Sequence, residues 1–313
     1  MKKKLIFAFL LLILGVVLGI EISKKYQKYK KQNKSKNESY SILTYQKYLI
    51  ESNQYNELVS LLHPYRVFLK DNNRQAAVKF RLGDLGDGGY VVINKMFESA
   101  DALMSYGIAD NTSFEDNFII RTNKPVYAFD CSVSPDQVLN KKINFYSECI
   151  SSDMYIGNYF KDKSSNVKHR ISSYNDQIKR LNLDSKHIFL KMDIEGAEYE
   201  SLSFISEHHM KNMTGIVLEL HGLENEKDRK RALQLLAKLN TYFYLIHIHG
   251  NNCNLNFIYN EDHILSKLPS VIELTYINKS FVSRAELDHS IYPIPNLDYP
   301  NCGRILHDYS FQF

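Results

Sequence analysis

A short apolar run that ends in an acidic turn and continues into a helical pattern constrains the fold more than any other stretch of this chain. It covers residues 187–202. The run from Ile188 to Met192 is typical of a strand buried inside a parallel sheet. The turn that follows contains Asp193, Glu195, Gly196 and Glu198. Ligands of open α/β sheets bind outside the carboxyl ends of the strands, so this turn is a candidate site, with a solvated surface turn as the alternative.

The same alternation of strand and helix patterns continues on both sides of this stretch. Strands are predicted at 103–106, 125–130, 215–221, 242–249 and 271–277, and a helix at 224–239. Such alternation is typical of an α/β protein with a mostly parallel sheet and helices on both faces. The last two strands have no obvious long helix between them, which predicts an antiparallel edge. Residues beyond Phe281 are rich in proline and are interpreted as an irregular tail.

A second candidate site begins at the predicted strand 103–106. The small-residue turn from Gly107 to Ala109 follows this strand, and Thr112 and Ser113 can cap the helix after it. Asp130 ends the next predicted strand, 23 residues after Gly107. Rossmann-type folds place a ribose-binding carboxylate about 20 residues beyond the glycine turn. Asp130 is therefore a candidate ribose ligand, with a helix cap or turn residue as the alternative.

Four glycines lie close together upstream of these motifs, at Gly83, Gly86, Gly88 and Gly89. Glycine allows a positive φ and a close approach of the backbone to a ligand. The segment is not a P-loop, because no Gly-Lys-Ser/Thr follows. A hairpin turn that leads into the strand at 90–93 is the alternative.

The N-terminus has the composition of a membrane segment. Three lysines precede an uncharged apolar run of 16 residues, Leu5 to Ile20. This is somewhat shorter than the ~20 residues that span a bilayer. Poor cleavage signals favour an uncleaved anchor over a signal peptide. Seven lysines follow the run against three before it, so the positive-inside rule predicts a cytoplasmic body behind a single-pass anchor.

These patterns divide the chain into four parts. Residues 1–22 are the predicted anchor or signal peptide, 23–40 a polar juxtamembrane linker, 41–77 a helical prelude, and 78–313 the main domain. Net charge is +4, and much of the excess lies near the N-terminus, so no strong basic field indicates a nucleic-acid partner.

Cysteine and histidine spacing predicts no metal site. The four cysteines form no CxxC pair and no zinc spacing, and reduced, packed thiols are expected, with a disulfide as the alternative. His221, His247 and His249 have no spacing that makes them a ligand set, so no metal is expected.

The segment Leu190-Lys-Met-Asp-Ile-Glu-Gly-Ala-Glu198 resembles the signature of the FkbM-type S-adenosylmethionine-dependent methyltransferases. Further landmarks of that family are similar to segments at 87–91, 105–110, 113–115, 127–130 and 249–252. Together they span about residues 78–281 in the order of the family. The resemblance implies a Rossmann-like class I methyltransferase fold, with a seven-stranded sheet whose last strand is antiparallel. The usual Gly-x-Gly-x-Gly loop is reduced here to Gly107-Ile-Ala109.

The resemblance also implies roles for particular residues. The cofactor, S-adenosyl-L-methionine, would contact Gly88, Gly89, Tyr106, Gly107, Ala109, Asp110, Glu115, Asp130 and Asp193. The catalytic candidates are Asp193, Glu195 and His221. A hydroxyl acceptor needs a general base within hydrogen-bond reach, and Asp193 is the first candidate, ahead of His221, Glu219 and His249.

Family resemblance favours O-methylation of a hydroxyl on a glycan, a lipid-linked sugar or a related small metabolite, and a membrane anchor agrees with that. One alternative is a catalytically degenerate methyltransferase-fold protein that acts as a binding or scaffold factor at the membrane. A nicotinamide-dependent oxidoreductase is a third possibility, disfavoured because the chain lacks Gly-x-Gly-x-x-Gly.

Overall fold

The computed structural model describes residues 53–153, 159–161, 168–253, 257–259 and 267–303. The predicted anchor and linker lie outside the described residues, as does the start of the helical prelude. Within the described part of the chain, no helix has the length and hydropathy needed to cross a bilayer. The described residues from Gln54 onward form one compact unit.

The described chain alternates between strands and short helices. The strands are β1 (Tyr65–Leu69), β2 (Lys79–Leu82), β3 (Tyr90–Ile93), β4 (Ala102–Tyr106), β5 (Val126–Phe129), β6 (Ile143–Tyr146), β7 (Glu148–Ile150), β8 (Tyr159–Lys161), β9 (Lys168–Ser172), β10 (Ile188–Met192), β11 (Met213–Leu220), β12 (Phe243–Gly250), β13 (Phe257–Tyr259), β14 (Lys267–Pro269), β15 (Ile272–Asn278) and β16 (Val282–Leu287). The helices are α1 (53–61), α2 (Asn94–Glu98), α3 (Ser113–Thr122), α4 (Tyr174–Arg180), α5 (Glu198–Ser203), α6 (Glu207–Asn212) and α7 (Glu226–Tyr242).

Seven of these strands form the central sheet, in the order β12-β15-β11-β10-β4-β5-β6. The neighbours from β11 to β6 are parallel, whereas β15 is antiparallel to both β11 and β12. The expectation of a seven-stranded, mostly parallel sheet is therefore confirmed. The antiparallel strand was expected at the edge, but it lies one strand inside, because β15 returns between β11 and β12.

The strand order reverses next to β4. The chain builds outward from β4 to β5 and β6, and later returns to place β10 on the other side of β4. Such a reversal opens a crevice at the carboxyl ends of the two strands on either side of it, where open α/β sheets bind their ligands. The crevice here lies between the ends of β4 and β10.

Two hydrophobic cores cover the two faces of the sheet, which confirms the expected helices on both sides. One core includes Met104 and Leu190 from the sheet and packs against α1, α4, α5 and α7. The other includes Leu103 and Phe189 and packs against α2 and α3. Adjacent residues of β4 and β10 thus point to opposite cores, and all five residues of each strand are buried.

Strand β1 and the C-terminal segment differ from the expectations. Helix α1 ends at residue 61, ahead of Pro64, but β1 follows within the predicted helical prelude and pairs antiparallel with β16. The expectation of an irregular tail beyond Phe281 is therefore wrong for Val282–Leu287. Strand β16 has little apolar periodicity, and it forms because β1, more than 200 residues away in the chain, supplies its backbone partners.

The four cysteines form two disulfides. Cys131 bonds to Cys149 and Cys253 to Cys302, with Cα–Cα distances of 4.8 and 5.1 Å. Both distances lie in the usual range for disulfides, about 4.4–6.8 Å. The expectation of reduced thiols is therefore wrong. The partners are 18 and 49 residues apart in the chain, so their pairing depends on the tertiary fold.

Candidate functional site

The turns after β4 and β10 contact each other directly in the crevice. The Asp193 N–H donates to the Tyr106 carbonyl, and the Gly107 N–H donates to the Phe129 carbonyl of β5. Gly107 has a φ of +73°, and a Cβ placed on it would lie 1.5 Å from the Asp193 carbonyl oxygen. Only glycine fits this position. The fold thus brings together the two motifs that the sequence predicted separately.

Asp130 holds the glycine turn from the end of β5. Its Oδ2 accepts from the backbone N–H groups of Ile108 and Ala109, both at 3.0 Å. Its Oδ1 accepts from the backbone N–H and the hydroxyl of Ser132, at 2.7 and 2.6 Å. The predicted proximity of Asp130 to the Gly107 turn is present. A ribose hydroxyl that bound Asp130 would have to replace the Ser132 hydroxyl.

A cavity of about 520 Å³ lies beside this turn. It is lined by Ala109, Asp110, Thr112, Asp116 and Ile120 on one side and by residues 137–140 on the other. Its volume falls within the range of about 300–1,000 Å³ that is typical of small-molecule sites. Ala109 and Asp110, both sequence candidates, therefore border a space of suitable size.

The acidic turn brings the three catalytic candidates together. The Nε2 atom of His221 lies 3.8 Å from Asp193 Oδ1 and 3.5 Å from Glu195 Oε2. Asp193 also accepts a hydrogen bond of 3.1 Å from the Tyr90 hydroxyl. Because Glu195 is exposed while Asp193 and His221 are only partly so, the cluster opens to solvent on the Glu195 side.

Glu198, at the start of α5, orients this cluster. Its Oε1 accepts from the backbone N–H groups of Ile194 and Gly196, which fixes the turn. The same oxygen lies 3.0 Å from His221 Nδ1. Burial lowers the pKa of His221, but the hydrogen bond and charge of Glu198 outweigh it and raise the pKa above its usual value. The Nε2 atom is left facing Asp193 and Glu195.

Behind His221 lies a buried pair of carboxylates on neighbouring strands. Glu219 and Glu273 are opposite each other in the β11–β15 register. Glu219 accepts a hydrogen bond of 2.6 Å from the Asn251 amide. Glu273 accepts a hydrogen bond of 2.6 Å from the Asn301 amide and lies 2.9 Å from His249 Nδ1. Burial, with the charges of Asp193 and Glu273, raises the pKa of Glu219 well above its usual range.

Asp193, Glu219 and His221 form a set that could hold a cation. Each offers one ligand atom, and these atoms lie within 4.8 Å of one another. Sequence spacing indicated no such set, because Asp193 follows β10, whereas Glu219 and His221 lie at the end of β11.

Two further candidates, Glu115 and Tyr106, are buried. Glu115 is fully buried, bonds to Ser105, and lies 3.9 Å from the Lys191 ammonium. The Tyr106 side chain is buried, donates to Gln177 and stacks on Phe129. Both side chains are thus bonded to neighbouring side chains, and their assignment to the cofactor stays a prediction.

Gly88 and Gly89 belong to the loop between β2 and β3. A Cβ on Gly89 would lie 1.9 Å from the Asp84 carbonyl, and one on Gly88 would lie 2.6 Å from the Asn111 amide. The loop is therefore closed on itself, which agrees with the hairpin alternative, since β2 and β3 pair antiparallel.

Sequence reasoning missed several residues that shape the site. The Lys191 ammonium donates to the Gly107 carbonyl at 2.7 Å. Tyr90, Asn251 and Asn301 donate to the carboxylates of Asp193, Glu219 and Glu273, respectively, and Glu273 was itself not a candidate. The charged Lys191 inside an apolar run was the one local signal. The others lie far apart in the chain, and no local pattern connects them.

The sequence matches no protein-family model and no curated protein. Among solved structures, the chain is similar to a crystal structure of a fibrillarin/Nop5p complex. The TM-score is 0.32 and the sequence identity 12%, over 68% of this chain and 97% of that chain. At this TM-score the similarity carries no conclusion about function.

Proposed function

We propose that this chain is an S-adenosylmethionine-dependent methyltransferase. The observation that carries the proposal is the position of the sites relative to the strand order. The Gly107 turn with Asp130, and the acidic turn with His221, lie on the two sides of the reversal between β4 and β10. Open α/β sheets bind nucleotide-like ligands at such a reversal.

The cofactor would lie against the Gly107 turn, beside Asp130 and the 520 Å³ cavity. S-adenosylmethionine supplies an electrophilic methyl group when bound, and the protein contributes position and electrostatics. Asp130 fits the ribose role because its Oδ1 is occupied only by Ser132, which a ribose hydroxyl can replace.

Asp193 and His221 are the groups that can take a proton from an acceptor hydroxyl. Glu198 holds Nδ1 of His221, so Nε2 faces the solvent-open side near Glu195. A base must lie within hydrogen-bond reach of the proton it removes. We propose that the acceptor is a hydroxyl of a glycan, a lipid-linked sugar or a related small metabolite.

A binding protein with a degenerate methyltransferase fold is the second candidate, and one observation favours it. Two of the hydrogen bonds to Asp130 come from the backbone of the turn that would hold the cofactor, and two come from Ser132. Such a site can persist as a structural tie without a ligand.

Calorimetric titration of the full chain, purified in detergent, distinguishes these functions. We expect S-adenosylmethionine and S-adenosylhomocysteine to bind with one site per chain, and NAD not to bind. Binding of none of the three would support the scaffold alternative, and binding of NAD alone would support the oxidoreductase. Labelled cofactor mixed with cell-envelope extract then tests methyl transfer.

A further inference from the structure

We propose that Asp193, Glu219 and His221 bind a divalent metal ion, with Glu195 at its open side. The inference goes beyond the proposed function. It does not depend on that function, because all the metal ligands are side chains of this chain and none comes from S-adenosylmethionine. Mixed carboxylate and imidazole donors are typical of sites for Mn²⁺, Fe²⁺ and Zn²⁺.

The distances in the cluster suit a shared ion. His221 Nε2 lies 3.8 Å from Asp193 Oδ1, 4.0 Å from Glu219 Oε1 and 3.5 Å from Glu195 Oε2. Two ligands bound at about 2.0–2.2 Å from an ion can be at most about 4.4 Å apart. All three pairs with His221 satisfy this limit, and all are longer than a good hydrogen bond. The ligand atoms of Asp193, Glu219 and His221 all lie within 4.8 Å of one another, so binding an ion requires shifts of at most a few tenths of an ångström.

Each ligand is held from behind by another side chain. Glu198 holds Nδ1 of His221, Tyr90 donates to Oδ2 of Asp193, and Asn251 donates to Glu219. Metal-binding histidines almost always bond through their second nitrogen to a carboxylate, a carbonyl or water. This support directs Nε2 of His221 and Oδ1 of Asp193 toward the same point.

Glu219 is the buried member of the set, and its side chain is only 3% exposed. The Asn251 amide donates to its Oε1 atom, which also lies 4.0 Å from His221 Nε2. A carboxylate oxygen can accept from Asn251 and bind a cation at the same time, because it has more than one lone pair.

The local charge also favours a cation. Within the described part of the chain, no Lys or Arg nitrogen lies within 4.0 Å of the carboxylates of Asp193, Glu195 or Glu219, and His221 is their ion-pair partner. Lys191, the nearest basic residue of β10, contacts Gly107 and Glu115 instead. A divalent ion would balance the excess negative charge of the three carboxylates.

The experiment uses the full chain in detergent, treated with a chelator and then titrated with MnCl₂ or ZnCl₂ without S-adenosylmethionine. Calorimetry measures affinity and stoichiometry, and the electron paramagnetic resonance of Mn²⁺ measures the bound fraction. We expect one ion per chain for at least one metal. We expect Glu219→Gln and His221→Gln to weaken its binding at least tenfold.

Matched controls are available outside the cluster. His187→Gln and Glu207→Gln change an exposed histidine and an exposed glutamate, and both should bind the metal as the wild type does. Tyr90→Phe keeps every ligand but removes the hydroxyl that donates to Asp193. We expect this variant to bind the metal about 10- to 100-fold more weakly than the wild type.

Glu195→Gln covers the case in which the buried variants fail to fold, because Glu195 is 87% exposed and its loss cannot disturb the core. We expect this variant to bind more weakly than the wild type. The proposal is overturned if the wild type binds neither metal, or if the cluster variants bind as the controls do. Absence of S-adenosylmethionine binding would reject the proposed function and leave this result unaffected.

Discussion

At the scale of single residues, Asp193 contacts groups from several elements around the crevice. It accepts from Tyr90, faces His221 Nε2, and its backbone N–H is bonded to the end of β4. Burial, with the charge of Asp193, raises the pKa of Tyr90, so this hydroxyl remains a donor. The carboxylate is therefore oriented by the fold and open on its Oδ1 side.

Asp193→Asn should lower methyl transfer about 10²-fold or more, because the amide cannot accept a proton. Cofactor affinity should change little, since asparagine keeps the size of the side chain and the backbone bond of Asp193 to Tyr106. Turnover with labelled cofactor and the dissociation constant of S-adenosylmethionine are the two measurements. Glu207→Gln is the control, and turnover equal to that of the control would show that Asp193 is structural.

Asp130→Ala should weaken cofactor binding by about 1–3 kcal/mol, because the Ile108 and Ala109 N–H groups lose their acceptor. Ser132→Ala removes the hydroxyl that competes for Oδ1 and should bind S-adenosylmethionine at least as tightly as the wild type. Calorimetry measures both. Unchanged affinity in a folded Asp130→Ala variant would remove Asp130 from the site.

At the scale of elements, the site depends on how closely two strand ends approach. The turns after β4 and β10 touch at Gly107. The Lys191 ammonium, from β10, donates a hydrogen bond to the Gly107 carbonyl. Space at this contact is limited by the spacing of two parallel strands, about 4.8 Å apart. A side chain at Gly107 would force the strand ends apart.

Gly107→Ala should reduce the free energy of unfolding by ~3 kcal/mol or more. The new Cβ would be held at a positive φ and would clash with the Asp193 carbonyl. Gly196→Ala is the matched control, since Gly196 has a φ of +100° but no atom within 4 Å of its Cβ position. That variant should lose only about 1–2 kcal/mol. Urea denaturation compares the two, and equal losses would contradict the steric explanation.

The segment after β16 is tied to the body by Asp288. Asp288 bonds to Ser290, Lys79 and Tyr292. Burial favours the neutral acid, but the hydrogen bonds from Ser290 and the Lys79 ammonium outweigh it and lower the pKa to about 2. Asp288→Asn should therefore reduce the free energy of unfolding at pH 7 by about 1.5–3 kcal/mol.

This effect has a defined pH dependence. The pKa of Asp288 is below the ordinary value of about 3.9 in an unfolded chain. Its contribution is complete above that ordinary value and is lost as the pH falls through about 2. The difference between wild type and Asp288→Asn should stay constant from pH 7 to 5 and shrink below pH 4. A constant difference down to pH 3 would contradict the assignment.

At the scale of the whole molecule, the disulfides bear on the predicted cytoplasmic body. Disulfides persist in oxidising compartments and are rare in the cytosol. The described chain has no free cysteine, and each bond ties segments next to the site, at Cys131 beside Asp130 and at Cys253 close after Asn251. The membrane anchor, its orientation and the cytoplasmic body remain predictions, and the two disulfides give a reason to test the orientation.

Thiol trapping in intact cells tests this point. We expect a maleimide–polyethylene glycol reagent, added after acid quenching and denaturation without reductant, to leave all four cysteines unmodified. With reductant, all four should react and shift the band on a gel. Modification without reductant would show reduced thiols and support the cytoplasmic orientation. An alkaline phosphatase fused after Phe313 should be active only if the body is exported.

The sequence alone determined the α/β class, the buried strands β4, β10 and β11, and the turns that carry Gly107, Asp130 and Asp193. These features are local, because hydrophobic periodicity and turn chemistry are set by residues near one another in the chain. Tertiary structure decided the position of β15, the β1–β16 pairing, both disulfides and the carboxylate–imidazole cluster. These depend on strand register and on contacts between distant segments. A residue such as Glu219 or Asn251 therefore acquires its neighbours only when the strands that carry them are side by side.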